Sequence, residues 1–191
     1  MTRHVLVALA LLAATASACD GVVTTSTPDD GLAPGRTSLV EVPDDAWEAV
    51  VDRIVDGDTL VLDVVAPGTG GAPDVDRVRG RLLRIDTPEL GRDGQPAECL
   101  AEAATDHLAA LVPPGTLVLA AHDVEELDQY DRDLVHLWTT DGTWVNGTML
   151  LDGFASVVTF PPNVAHDDEV RLLEAVARDA ARGLWDPDAC G

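Results

Sequence analysis

Four carboxylates stand where apolar runs stop. Asp56 and Asp58 flank Gly57 between "WEAVVDRIVD" and "DTLVLDVV"; Asp86 and Glu89 close the run "RLLRIDTPEL", which opens on Arg81. Hard oxygen donors of this kind select Ca2+ or Mg2+ over zinc. Thr87 precedes a proline, which pushes its backbone extended, so its carbonyl can turn aside and join them. Arginine's rigid fork donates two hydrogen bonds to a phosphate, which lysine cannot copy. A divalent cation, a carboxylate able to position water and two arginines, Arg81 and Arg132, form a set suited to phosphodiester hydrolysis. The cation neutralises phosphate oxygens, and fixed donors act on charge that builds in the transition state.

Each motif also has a plainer reading. Asp-Gly-Asp is a common hairpin turn, and Asp-Thr-Pro-Glu can simply cap a strand. Arg132 lies in "DQYDRDL", where a surface pair with Asp131 or Asp133 would contribute little. Alternation adds an obstacle: Asp86 follows Arg81 by five residues, so on a regular strand the two face opposite ways.

The elements that must position these groups follow from periodicity. "WEAVVDRIVD" and "DTLVLDVV" read as two strands joined at Asp56-Gly57-Asp58, and "GRLLRID" as a third after a Gly/Pro loop. From Pro96 to Leu111 the spacing of Leu100, Ala103, Ala104, Leu108 and Leu111 predicts a helix, stopped by "VPPG". "TLVLAAHD" and "LVHLWTT" read as strands four and five. "VNGTMLLDG" reads as a short helix ended by Gly153. A last helix is expected from about Asp167 to Arg182, with Val170, Leu173, Val176, Ala177 and Ala180 as its buried stripe. Short strands with one helix between the third and fourth suggest a five-stranded OB-type barrel, an α+β fold with about three helices. Asn146-Gly147-Thr148 matches a glycosylation sequon, which the export signal of a bacterial chain makes accidental.

The chain has 191 residues, 34 acidic and 12 basic, all of the latter arginine, for a net charge of -22. That balance favours solubility and argues against a broad basic surface for nucleic acid. At the N-terminus, Arg3 precedes the apolar run "VLVALALLAA" and then "ASAC". The run is short for a bilayer span and reads as an export signal over residues 1–18. Ala16-Ser17-Ala18 suits ordinary signal cleavage, and the same residues before Cys19 suit a bacterial lipoprotein box; the cysteine count favours the second. Cys19, Cys99 and Cys190 are the three cysteines. With Cys19 lipidated, Cys99 and Cys190 can pair in an exported chain, the alternative being two free thiols. Residues 19–45, rich in Thr, Ser, Pro, Gly and Asp, read as a flexible linker, with the folded domain over 46–191. The chain is expected outside the cytoplasm, anchored or freely secreted.

"VDGDTLVL", "RLLRIDTPEL", "QYDRDL", the "NG..LLDGFA" run and "ARGLW", in this order, resemble the staphylococcal nuclease (thermonuclease) family over Trp47 to Trp185. The resemblance implies an OB-fold barrel with three helices and a monomer that cleaves DNA and RNA with Ca2+, leaving 3′-phosphates. It implies that Asp58 and Asp86 are carboxylate ligands, with the Thr87 carbonyl beside them and Asp56 in support. Glu89 would hold the attacking water, Arg81 and Arg132 the phosphate, and Tyr130 the nucleotide. Three positions depart from the family pattern: Phe160 is the only aromatic in "VVTFPPN", where tyrosines are usual; Gln129 replaces a lysine; and Asp131 replaces a glycine. Phe160 can stack on a base without hydrogen-bonding it. The alternatives are a weakly active or inactive OB-type binding module, and a Ca2+-binding surface lipoprotein built around "HDVEELDQYDRD", a loop without EF-hand ligand spacing.

Overall fold

The computed structural model describes Thr37, residues 39–92 and residues 94–191. The segment expected as an export signal, Cys19 and most of the expected linker lie outside the described residues. Strand β1 (Trp47–Ile54) buries Trp47, Ala49 and Val51 on alternate positions, and β2 (Thr59–Val64) is buried along most of its length. They pair antiparallel around the Asp56-Gly57-Asp58 turn, with a register shift between Val51 and Arg53. Strand β3 (Arg77–Leu82) follows antiparallel to β2. After a two-residue strand β4 (Ile85–Asp86) and helix α1 (Ala101–Leu111) come β5 (Leu117–Ala121) and β6 (Asp133–Thr139). The order β1-β2-β3-β6-β5 closes on itself through β1–β5 pairs, with β3 and β6 parallel. This is the expected five-stranded OB-type barrel.

Helix α2 (Val145–Leu151) is buried along its whole length and packs on β6 and on α3 (Asp167–Asp179). A short strand β7 (Ser156–Val157) pairs with β4, and a 3-10 turn covers Gly183–Trp185. Leu60, Leu62, Leu82, Val118, Val135 and Leu137 fill the barrel. Each such side chain contributes roughly 1.5–3 kcal/mol by leaving water. Trp138 and Trp144 are fully buried and carry much of the aromatic volume.

Several boundaries differ from the periodicity. Helix α1 starts at Ala101 rather than Pro96: Leu100 takes φ 66, and the Pro96–Glu98 segment is held by a bond from the Glu98 N–H to the Glu89 carbonyl. Helix α3 stops at Asp179, and Ala180 is exposed rather than part of the stripe. Packing also begins earlier than Trp47. Thr37 and Val40 are buried; Trp138 Nε1 donates to the Val40 carbonyl and the Trp144 N–H to that of Thr37. Cys99 and Cys190 form a disulfide with Cα atoms 5.9 Å apart, tying the chain's end to the start of α1. A bridge closing so long a loop contributes roughly 2–4 kcal/mol.

Candidate active site

The apolar run "RLLRID" is not one strand. β3 ends at Leu82, Leu83 and Arg84 form a turn with Arg84 at φ 68, and β4 resumes at Ile85. This break overturns the expectation that Arg81 and Asp86 point apart. Arg81 Nη2 lies 3.0 Å from Asp86 Oδ1, and Nη1 lies 2.8 Å from Asp58 Oδ2. Nη1 also donates to the carbonyls of Ile85 at 2.9 Å and Leu82 at 3.2 Å. Two carboxylates from different strands thus converge on one cationic group.

Asp58 is buried. Its Oδ2 accepts from the Thr87 N–H at 3.1 Å and Oγ1 at 3.2 Å, and its Oδ1 from Thr59 Oγ1 at 3.0 Å. Gly57 makes this approach possible: a Cβ there would fall 2.7 Å from Thr87 Oγ1 and 3.0 Å from the Ala104 methyl. The glycine of Asp-Gly-Asp is therefore required by packing against Thr87. Burial pushes the Asp58 carboxyl up to about 6, with Asp56 adding to the rise; Arg81 and the threonine hydrogen bonds oppose it. Asp56 accepts the Asp58 N–H at 3.3 Å and pairs with Arg92 at 2.9 Å.

In front of this buried layer opens a cavity of about 470 Å³, whose lining includes Arg81, Asp86, Glu89, Tyr130, Arg132 and Phe160. Asp56, Asp58 and Thr87 sit behind the lining. Glu89 is exposed and its carboxylate has no protein partner among the described residues. Arg132 pairs with neither Asp131 nor Asp133. Its Nε lies 2.7 Å from Asp128 Oδ2, and its guanidinium sits 5.6 Å from the Tyr130 ring centre. Asp128 Oδ1 accepts the N–H groups of both Tyr130 and Arg132, so one carboxylate shapes the loop and aims the arginine. Tyr130 and Phe160 are about 70% exposed.

Among the described residues no three His, Cys, Asp or Glu side chains group as a metal site. The donor set nevertheless fits a hard cation. Asp58 and Asp86 already share a positive group, and the Thr87 backbone adjoins them. Ca2+ takes about six to eight oxygen ligands, waters among them, so two carboxylates and a carbonyl would leave the remaining positions to water or phosphate.

Residues 79–187 match the family described as Staphylococcal nuclease homologue. The chain belongs to this family. It is therefore a nuclease, a hydrolase of phosphodiester bonds. Thermonuclease from Staphylococcus intermedius is 28% identical over 161 residues, 82% of this chain and 86% of that protein. Endonuclease YhcR of Bacillus subtilis (strain 168) is 27% identical over 146 residues, which is 73% of this chain and 11% of that protein.

Three residues that shape this nuclease site are not evident from the sequence. Asp128 is hidden in a loop dense with acid. Asn146, in the apparent sequon, is fully buried; its Nδ2 donates to the carbonyls of Leu83 and Val135, and its Oδ1 accepts the Leu137 N–H. It holds the β3–β4 turn against β6, which is why the sequon is no glycan site. Arg84 lies in the turn itself. Only the Asn-Gly pair opening an apolar helix hinted at any of the three.

Proposed function

We propose that this nuclease is an exported, Ca2+-dependent enzyme that cleaves DNA, RNA or both at the 5′-oxygen, leaving 3′-phosphates. The observation that carries the reading is the convergence of Asp58 and Asp86 on Arg81 at the wall of a cavity that Glu89, Tyr130 and Arg132 also line. Asp58, Asp86 and the Thr87 carbonyl would hold Ca2+, with Asp56 supporting the Asp58 turn. Bound there, the cation supplies positive charge to a phosphate oxygen. Arg81 is steered by the Leu82 and Ile85 carbonyls and donates its remaining N–H groups to phosphate. Arg132, in the lining of the same cavity, donates as well. Glu89, exposed and unpaired among the described residues, orients a water toward phosphorus and takes its proton. Tyr130 and Phe160 offer ring faces to bases. Export, with or without a lipid on Cys19, fits the N-terminal segment and the Cys99–Cys190 bridge.

One feature favours the weaker alternative, a binding module with little turnover: Arg132 is already engaged by Asp128. Incubating the domain with DNA and with RNA, in Ca2+ or in excess chelator, decides between them. Cleavage should vanish on chelation and return with Ca2+, at a modest affinity on the order of 10⁻⁴ to 10⁻³ M for such an open site. Undiminished cleavage in chelator refutes the metal assignment. Binding without cleavage in Ca2+ supports the module.

A further inference from the structure

Between Arg81 and Asp86 lies a third arginine whose placement is doubly unfavourable. Arg84 takes φ 68, a region that non-glycine side chains avoid. Its side chain is 1% exposed, and among the described residues only Nη2 has a partner, Asp167 Oδ1 at 2.5 Å. Nε and Nη1 are buried without one among those residues. Glycine would suit the backbone and leucine the burial. Neither local preference explains an arginine, and a half-satisfied buried guanidinium is costly.

What the residue does is join the turn to a helix. Asp167 is the first residue of α3 and is gripped from its own helix by Arg171 at 2.8 Å. The Arg84 carbonyl accepts the Val158 N–H, two residues before Phe160. On the other side, Asn146 holds the Leu83 carbonyl. The turn is thus clamped by α2, α3 and the segment leading to the cavity. The break it forms is what brings Arg81 and Asp86 together.

We propose that the Arg84–Asp167 pair is a latch that fixes the β3–β4 turn and, through it, the spacing of Arg81 and Asp86. Arg84 belongs to the cavity lining, but its side chain is 1% exposed, so it acts as a positioning residue through the turn rather than as a contact to substrate or cation. The inference rests on the roles proposed above for Arg81 and Asp86. The test compares the parent with Arg84→Met, Arg84→Lys, Asp167→Asn and the Met/Asn double variant. Three quantities are read: kcat and KM on a defined oligonucleotide at saturating Ca2+, Ca2+ affinity by calorimetry, and Tm.

Because small displacements of reacting groups can cost up to about a hundredfold, Arg84→Met should lose about tenfold or more in kcat with KM little changed. Ca2+ affinity should fall with it, and Tm should hold. Asp167→Asn should move kcat and affinity the same way, the double variant should be no worse than Arg84→Met, and Arg84→Lys should recover most of the loss. Parental kcat and Ca2+ affinity in Arg84→Met and Asp167→Asn would overturn the latch, as would a rise in KM alone, which would make Arg84 a substrate contact. If Arg84→Met does not fold, Asp167→Asn, changed at the half-exposed partner, decides. A parent that binds Ca2+ without cleaving defeats the proposed function, while the calorimetric comparison still tests the latch.

Discussion

Asp58 and Glu89 belong to one site and are built in opposite ways. Asp58 is 4% exposed and accepts from Thr59, from two groups of Thr87 and from Arg81. Glu89 is exposed, and its carboxylate meets no protein group among the described residues. The contrast runs through the whole site. The inner layer, Asp56, Asp58, Thr87 and Arg81, is fixed by strands of the barrel and by Gly57. The outer wall, Glu89, Tyr130, Arg132 and Phe160, stands on loops. The departures from the family pattern at Gln129 and Phe160 fall on the outer wall, and Asp131 lies in the same loop beside it. A preorganised inner layer can keep its part of the chemistry while changes at these three positions alter what is bound and how tightly.

The sharpest way to break this contrast is to exchange its two arginines for lysine. Arg81 has four acceptors around it and a 13% exposed side chain; Arg132 has one carboxylate partner and 22%. Lysine keeps the charge and loses the fork. Arg81→Lys should cost about a hundredfold or more in kcat, and Arg132→Lys about tenfold, by comparison with removed transition-state donors. Glu89→Gln should rank with Arg81→Lys and still fold with a parental Tm, because nothing leans on its side chain. Equal losses at the two arginines, measured on one substrate at saturating Ca2+, would erase the distinction between the layers.

The inner layer was also the more legible in the sequence, for a physical reason. Asp58, Asp86, Thr87 and Arg81 sit at strand ends, where alternation, a glycine and a proline constrain the backbone. The one misreading there, Arg81 against Asp86, came from treating "RLLRID" as unbroken; φ 68 at Arg84 is a break that no residue preference announces. The start of α1 is not legible because bonds between Glu89 and Glu98 decide it. The loop around Asp128 is not legible because several neighbouring acids could cap its N–H groups, and the choice of Asp128, two and four residues before the groups it accepts from, leaves no mark in residue type. The sequon at Asn146 reads as accidental from the sequence, but the burial that gives Asn146 its role in holding the β3–β4 turn does not show there.

A middle-sized effect is expected at Asp131, exposed in the loop that carries Tyr130 and Arg132. It holds φ 56, which suits glycine, and it places a carboxylate between Tyr130 and Arg132. Asp131→Gly removes both the backbone penalty, worth roughly 1 kcal/mol, and the repulsion toward phosphate. It should raise stability in denaturant melts by about that amount and lower KM a few-fold, with kcat nearly unchanged because the inner layer is untouched. A change in kcat instead of KM would show that the two layers are coupled through the loop.

The smallest effect expected is that of salt, and it tests whether the arginines around the inner layer draw substrate in at all. Five arginines between Arg77 and Arg92 suggest a local attractive field. The structure pairs four of them with carboxylates: Arg77 with Asp63 and Asp52, Arg81 with Asp58 and Asp86, Arg84 with Asp167, and Arg92 with Asp56. Arg79 alone of the five has no ion pair among the described residues. With a net charge of -22 around so little free positive charge, a nucleic acid should meet repulsion until it reaches the cavity. A protein that neutralises several phosphates loses affinity with a log–log salt slope of about -0.9 for each one. Here salt near 0.1 M, with a Debye length of about 10 Å, screens the repulsion more than the close contacts. KM should therefore stay flat or fall as NaCl rises from its lowest value, at saturating Ca2+ so that metal competition does not enter. A slope as steep as several phosphate contacts require would mean that Ca2+ or substrate breaks these ion pairs on binding and frees the arginines, and the region from Arg77 to Arg92 would then be an attractive surface after all.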